Sequence, residues 1–109
     1  MAVESVETIW KREVGERVRL VIKISGVAED QDLAELIGTG KNNLSNWKRG
    51  HILLPPAAAR KLKELFGCGF DWLYLGDRAS NTARFNEQLH AVERAEGPRN
   101  ITQRRSNNG

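Results

Sequence analysis

Between Lys41 and Gly50 the chain carries Lys41, Asn42, Ser45, Asn46 and Arg49 at spacings that bring them to one side of a helix. These are the residue types that read base edges in the major groove of duplex DNA. An Asn amide bonds adenine at two points, Arg or Lys does the same to guanine, and a hydroxyl serves either. Leu44 and Trp47, three residues apart, share the other side and are expected to pack inward, with Trp47 mostly buried. The five polar residues are therefore the candidate base-reading groups. A second set, Gln31, Asn43, Lys48, His51, Lys61 and Lys63, is assigned to phosphate contact, which sets position and most of the affinity. His51 is most simply an exposed connector residue, with phosphate contact as its alternative role.

Two short elements must hold these groups. Residues 30 to 37 form a first helix with Leu33, Ala34, Leu36 and Ile37 on its apolar face and with Asp30 and Asp32 at its start, where acids suit the helix dipole. Gly38 stops it in left-handed geometry. The second helix runs from about Lys41 to Lys48.

This stretch resembles the helix-turn-helix of lambda-repressor-like domains, and among them the CI-type repressors of temperate bacteriophages. Ala34 resembles the small residue where the two helices approach, and Gly38 the turn. Leu44-Ser45-Asn46-Trp47 resembles the apolar-Ser-Asn-Trp run of that recognition helix, and Lys48-Arg49-Gly50 its basic end. Phe70-Asp71-Trp72-Leu73-Tyr74-Leu75-Gly76 resembles the closing helix of such domains. The match covers roughly residues 14 to 77. Thr39 and Gly40 depart from it, standing where an apolar residue and a capping Ser are usual. Gly is only slightly poorer than Ser as a cap, so a looser helix start is expected. The resemblance implies a sequence-specific regulator of transcription, a repressor binding a double-stranded operator as a homodimer. Full-length relatives of this kind often carry a self-cleaving peptidase domain. This chain ends too early for one, so inactivation is expected from a partner, such as an antirepressor protein, or from degradation.

Length and charge agree with that expectation. The 109 residues suit one domain plus tails, and the formal net charge is +3. No acid lies between Lys41 and Lys63, a stretch holding Lys41, Lys48, Arg49, Arg60, Lys61 and Lys63, whereas acids crowd residues 4 to 35. A basic half beside an acidic half suits one face for a polyanion. The bland alternative is a solvated charged surface. Catalysis is not expected: His51 and His90 lie far apart with no nucleophile beside them, no cofactor motif is present, and the single Cys68 excludes an internal disulfide and a cysteine zinc site. Cys68 is read as a small core residue. The absence of a long apolar run or a leader places the chain in the cytoplasm as an expectation.

The expected fold is all-α: a lambda-repressor-like domain of five short helices over residues 1 to 77, followed by a sixth helix and a disordered tail. Residues 1 to 12 form an N-terminal arm, with Ile9 and Trp10 docking on the domain. Val14, Val18, Val21 and Ile22 match a helical face, although alternation through Val18, Leu20, Ile22 and Ile24 also suits a strand. Helix is chosen, ending at Ser25-Gly26. After the connector His51-Ile52-Leu53-Leu54, Pro55-Pro56 opens a helix whose buried face is Ala58, Leu62, Leu65 and Phe66. Gly67 ends it. Residues 70 to 75 then seal the core with Trp72, Leu73 and Leu75. In residues 78 to 97, Ser80 or Asn81 caps a helix with a narrow stripe of Phe85, Leu89 and Val92. That stripe either packs on the domain or meets its copy on another chain, and the dimer seam is the expectation. Gly97-Pro98 stops this helix, and residues 98 to 109 are polar and acid-free. Arg99, Arg104 and Arg105 could touch phosphate from such a tail, though a flexible solubilising tail is the simpler account. The rival class is a protein-interaction module, an antitoxin or adaptor on the same helical fold. Single-stranded RNA binding is disfavoured once Trp47 and Trp72 are placed in the core.

Overall fold

The computed structural model describes the backbone of residues 4–105 and the side chains of residues 4–96. Among the described residues it is entirely helical. Six α-helices follow in order: α1 Val6–Ser25, α2 Asp30–Ile37, α3 Lys41–Arg49, α4 Pro56–Phe66, α5 Phe70–Leu75 and α6 Ala83–Arg105, with a 3-10 turn at Arg78–Ser80.

α1 starts earlier than expected. Ser5 caps it, its hydroxyl accepting the Thr8 N–H at 3.1 Å. The expected N-terminal arm is therefore corrected: from Val6 onward it is the first two turns of a 20-residue helix, while residues 1 to 3 lie outside the described residues. The same helical face simply extends backward. Trp10 precedes buried Val14, Val18 and Val21 at four-, four- and three-residue steps. Its indole N–H donates to the Tyr74 carbonyl, and the two rings lie 6.1 Å apart. The strand alternative fails because burial follows the helical period; Leu20, Ile22 and Ile24 are only half-buried.

α1 is the central element, packing against α3, α5 and α6. α2 packs on α3 and α4, and α4 on α5. The core joins Val14, Val18 and Val21 to Leu33, Leu44, Trp47, Leu54, Leu62, Trp72 and Leu73. Cys68 is fully buried in it, as a small core residue should be. Five apolar residues expected to face inward lie at the surface instead: Ile9, which was to dock beside Trp10, Leu36, the connector's apolar Ile52, Leu65 and, most of all, Leu75, which is 71% exposed. α5 has only six residues and uses Trp72 and Leu73 inward, so Leu75 falls outside its buried arc. In α4 the buried arc is Ala58, Ala59 and Leu62, which leaves Leu65 at its edge.

The largest correction concerns α6. Phe85 and Leu89 are fully buried in the same core. The Phe85 ring stands edge-on to Trp72 with centroids 5.1 Å apart. This stripe is therefore part of the domain and not a free dimer seam. The reason is geometric: α1 and α5 leave an apolar trough that a thin stripe can fill, although such a stripe could not fold by itself. Lys23 of α1 pairs with Glu96 of α6, and Arg78 with Glu93. The cap of α6 also shifts. Thr82 supplies it, its hydroxyl accepting the Phe85 N–H at 3.1 Å. Ser80 lies in the 3-10 turn, and the Asn81 side-chain oxygen Oδ1 instead accepts the Gly69 N–H at 2.7 Å. Gly97-Pro98 does not stop the helix, whose backbone continues to Arg105. A proline forfeits one backbone hydrogen bond, and the flanking bonds can carry the helix past it. The tail expected to be disordered from residue 98 is helical in its backbone to Arg105, and residues 106 to 109 lie outside the described residues. The Arg99, Arg104 and Arg105 side chains also fall outside them.

Candidate nucleic-acid interface

The α2–α3 corner is built from backbone bonds that its sequence permits. Gly38 adopts a φ of 87°, and its N–H donates to the Ala34 carbonyl at 2.9 Å. The Thr39 N–H donates to the same carbonyl at 2.8 Å. Ala34 itself is 1% exposed, so a larger residue there would separate the helices. Gly40 leads into α3 in extended geometry and provides no side-chain cap. The Thr39 hydroxyl does not cap the helix either; it accepts from the Asn43 side-chain amide at 3.0 Å. The departure at Thr39 therefore has a local role: it ties down the first turn of α3.

α3 is amphipathic in the required sense. Leu44 and Trp47 are 1% and 5% exposed and anchor it. Lys41, Asn42 and Arg49 are exposed, and Ser45 and Asn46 are half-buried. At about 100° per residue the five span an arc of about 140°, centred opposite Leu44 and Trp47. All five candidate base-reading groups thus share one outward face.

The six phosphate candidates do not form one set. Gln31 is exposed in the first turn of α2. His51 is exposed just past α3, with its backbone N–H bonded to the Asn46 carbonyl at 3.0 Å. Asn43 is exposed but engaged by Thr39. Lys48 is half-buried and directed inward, its ammonium 2.5 Å from the Asp30 carboxylate. These four lie on α2, on α3 or two residues past its end. Lys61 and Lys63 are exposed on α4, a helix that packs on α2 and α5.

Residues on α1 complete the arrangement. Gly15 lies against the end of α3 so closely that a Cβ there would stand 2.7 Å from the Lys48 carbonyl oxygen and 2.8 Å from that of Trp47. One turn later the Arg19 guanidinium donates to the Lys48 carbonyl, satisfying an acceptor that the helix end leaves open. Neither was singled out from sequence. A glycine inside an otherwise helical pattern usually has a packing reason, and that was the available signal for Gly15. Arg19 carried none.

Two groups have shifted acidity. Burial pushes the Cys68 thiol up to about 12. Burial also raises Tyr74, whose hydroxyl donates to the Leu54 carbonyl at 2.7 Å. Among the described residues no cluster of three or more His, Cys, Asp or Glu side chains could hold a metal ion. Nor, among the described residues, is any helix long and apolar enough to cross a membrane. Compared with protein families, curated proteins and solved structures, the chain matches none.

Proposed function

We propose that this protein is a sequence-specific double-stranded DNA-binding regulator, a repressor that acts on its operator as a homodimer. The observation that carries the proposal is α3: locked inward by Leu44 and Trp47, it turns Lys41, Asn42, Ser45, Asn46 and Arg49 to one outward face. In this mechanism α3 enters the major groove as a recognition helix and those five side chains contact base edges. Gln31, His51, Lys61 and Lys63 neutralise phosphates. The lambda-repressor-like, CI-type assignment rests on the same residues and on the order of the helices. A cytoplasmic protein that joins the nucleoid on binding, without catalysis and open to an antirepressor partner, belongs to the same proposal.

A single small domain buries too little to bind one site specifically, so two copies on an inverted repeat are required. With Phe85 and Leu89 in the core, the second copy must be met elsewhere. Val6 and Ile9 on α1 and Phe70 and Leu75 on α5 are exposed apolar residues on two helices that pack together. They are the proposed seam.

The test is selection of sites from random duplex DNA by the full chain, followed by titration over a salt series. The expected result is a recovered palindrome whose binding weakens steeply with salt. A chain that enriches no sequence, while holding a protein partner through an interface insensitive to salt, would replace this proposal with the interaction-module reading.

A further inference from the structure

Lys48 sits at the basic end of α3, where a phosphate contact would be assigned by position alone. Its surroundings say otherwise. The ammonium lies 2.5 Å from the Asp30 carboxylate, with both side chains about a third exposed (28% and 30%). Asp30 is the first residue of α2, and Lys48 is in the last turn of α3. The pair therefore ties the beginning of one helix to the end of the other across 18 residues of sequence. The same stretch is held on a second side. Arg19 of α1 bonds the Lys48 carbonyl, and Gly15 leaves no room between α1 and the carbonyls of Trp47 and Lys48.

We propose that Asp30 and Lys48 form a specificity device: the pair fixes the angle of α3 and, by neutralising a cation beside the reading face, holds down sequence-independent attraction to phosphate. Lys48 is then a positioning residue. Asp30, an acid within the reading corner, keeps the surface from binding every duplex alike. A free Lys48 would add one phosphate contact to all sequences equally, which raises the background without raising discrimination. The inference rests on the DNA-binding proposal above.

The two roles separate by salt. Each phosphate contact contributes about 0.9 to the slope of log affinity against log salt, or about eightfold over a tenfold salt range. The experiment titrates the full chain and its Asp30→Asn, Lys48→Met, Lys48→Arg and Asp30→Asn/Lys48→Met variants against the selected operator and a scrambled duplex across such a range. Asp30→Asn is expected to tighten scrambled binding, steepen the slope by about 0.9 and reduce the operator-to-scrambled ratio. Lys48→Met leaves the Asp30 carboxylate unpaired beside the reading face and is expected to weaken both duplexes, the operator more than the scrambled one. Lys48→Arg, which keeps the pair, should resemble the parent. The double variant, which removes both charges and the tie, is expected to keep the parental slope and scrambled binding and to weaken operator binding several-fold. A double variant that weakens on both duplexes alike, with a shallower slope than the parent, would make Lys48 an ordinary phosphate contact and overturn the proposal. So would an Asp30→Asn protein with the parental slope. If the parent binds neither duplex, the DNA-binding proposal itself fails. Melting of the parent, Asp30→Asn, Lys48→Met and the double variant without DNA then tests the tie alone, and strictly additive effects of the two substitutions would refute it.

Discussion

Phe85→Ala tests whether α6 belongs to the domain. Phe85 is fully buried and stands edge-on to Trp72 at 5.1 Å, beside fully buried Leu89. Truncation to Ala removes the whole ring and leaves a cavity between α6 and the residues of α1 and α5. Large-to-small changes of this kind cost about 3–5 kcal/mol, part lost transfer energy and part cavity. For a domain of about 100 residues each kcal/mol lowers the melting temperature by about 4–5 °C, so a drop of about 12–25 °C is expected. Thermal unfolding followed by far-UV circular dichroism reads it directly. The same reasoning applies to a chain cut after Gly76. It loses Phe85 and Leu89 together, about 5–10 kcal/mol against a typical total of 5–15, and should be largely unfolded. A Phe85→Ala protein melting within a few degrees of the parent would refute the packing of α6 on the core. A chain cut after Gly76 that stays folded and loses its partner copy would restore the stripe as a dimer seam.

Four other outcomes follow from the same geometry. Trp47→Ala should destabilise by about 3–5 kcal/mol, because the residue is an anchor of α3 and not a surface contact; a melt like the parent's would move Trp47 to the binding face. Gly15→Ala should cost about 1–3 kcal/mol by overpacking against the carbonyls of Trp47 and Lys48, and should weaken operator binding by displacing the end of α3; parental stability and binding together would show that α1 does not set the position of α3. Asn46→Ala should lower operator affinity by about 1–3 kcal/mol with scrambled binding unchanged, whereas Lys61→Ala or Lys63→Ala should weaken both and flatten the salt slope by about 0.9; equal loss on both duplexes would exclude base reading by Asn46. Cys68, with its thiol pushed up to about 12 by burial, should resist an alkylating reagent at neutral pH until the chain unfolds. Its raised folded value also means that its contribution to stability is complete below about 9, the ordinary thiol value, and is lost as pH rises from there towards 12. Rapid labelling of the folded protein would contradict its burial.

Local signals were enough for most of the helices. Gly26, Gly38, Gly50, Gly67 and Gly76 all take positive φ at helix ends, and each end is marked in the sequence by that glycine. The inward pair Leu44 and Trp47 and the outward set from Lys41 to Arg49 were also legible, because side-chain facing in a helix depends only on a period of 3.6 residues. Periodicity says which side of a helix is apolar but not what will cover it. Nothing local distinguishes a stripe such as Phe85 and Leu89 that fills a trough on its own domain from one that meets another chain. Leu75 and Leu65 look as apolar as Leu73 and Leu62, and only the packing of α4 on α5 decides which pair is inside. Lys48 shows the same limit at the candidate site. Its charge and place in α3 suggest phosphate, and only folding brings Asp30, 18 residues away, to its ammonium. Gly15 and Arg19 reach the end of α3 across a still longer stretch of chain. Helix boundaries and faces were set by neighbours in sequence; the partners of each face, and so the orientation of α3, were set by contacts between distant residues that exist only in the folded chain.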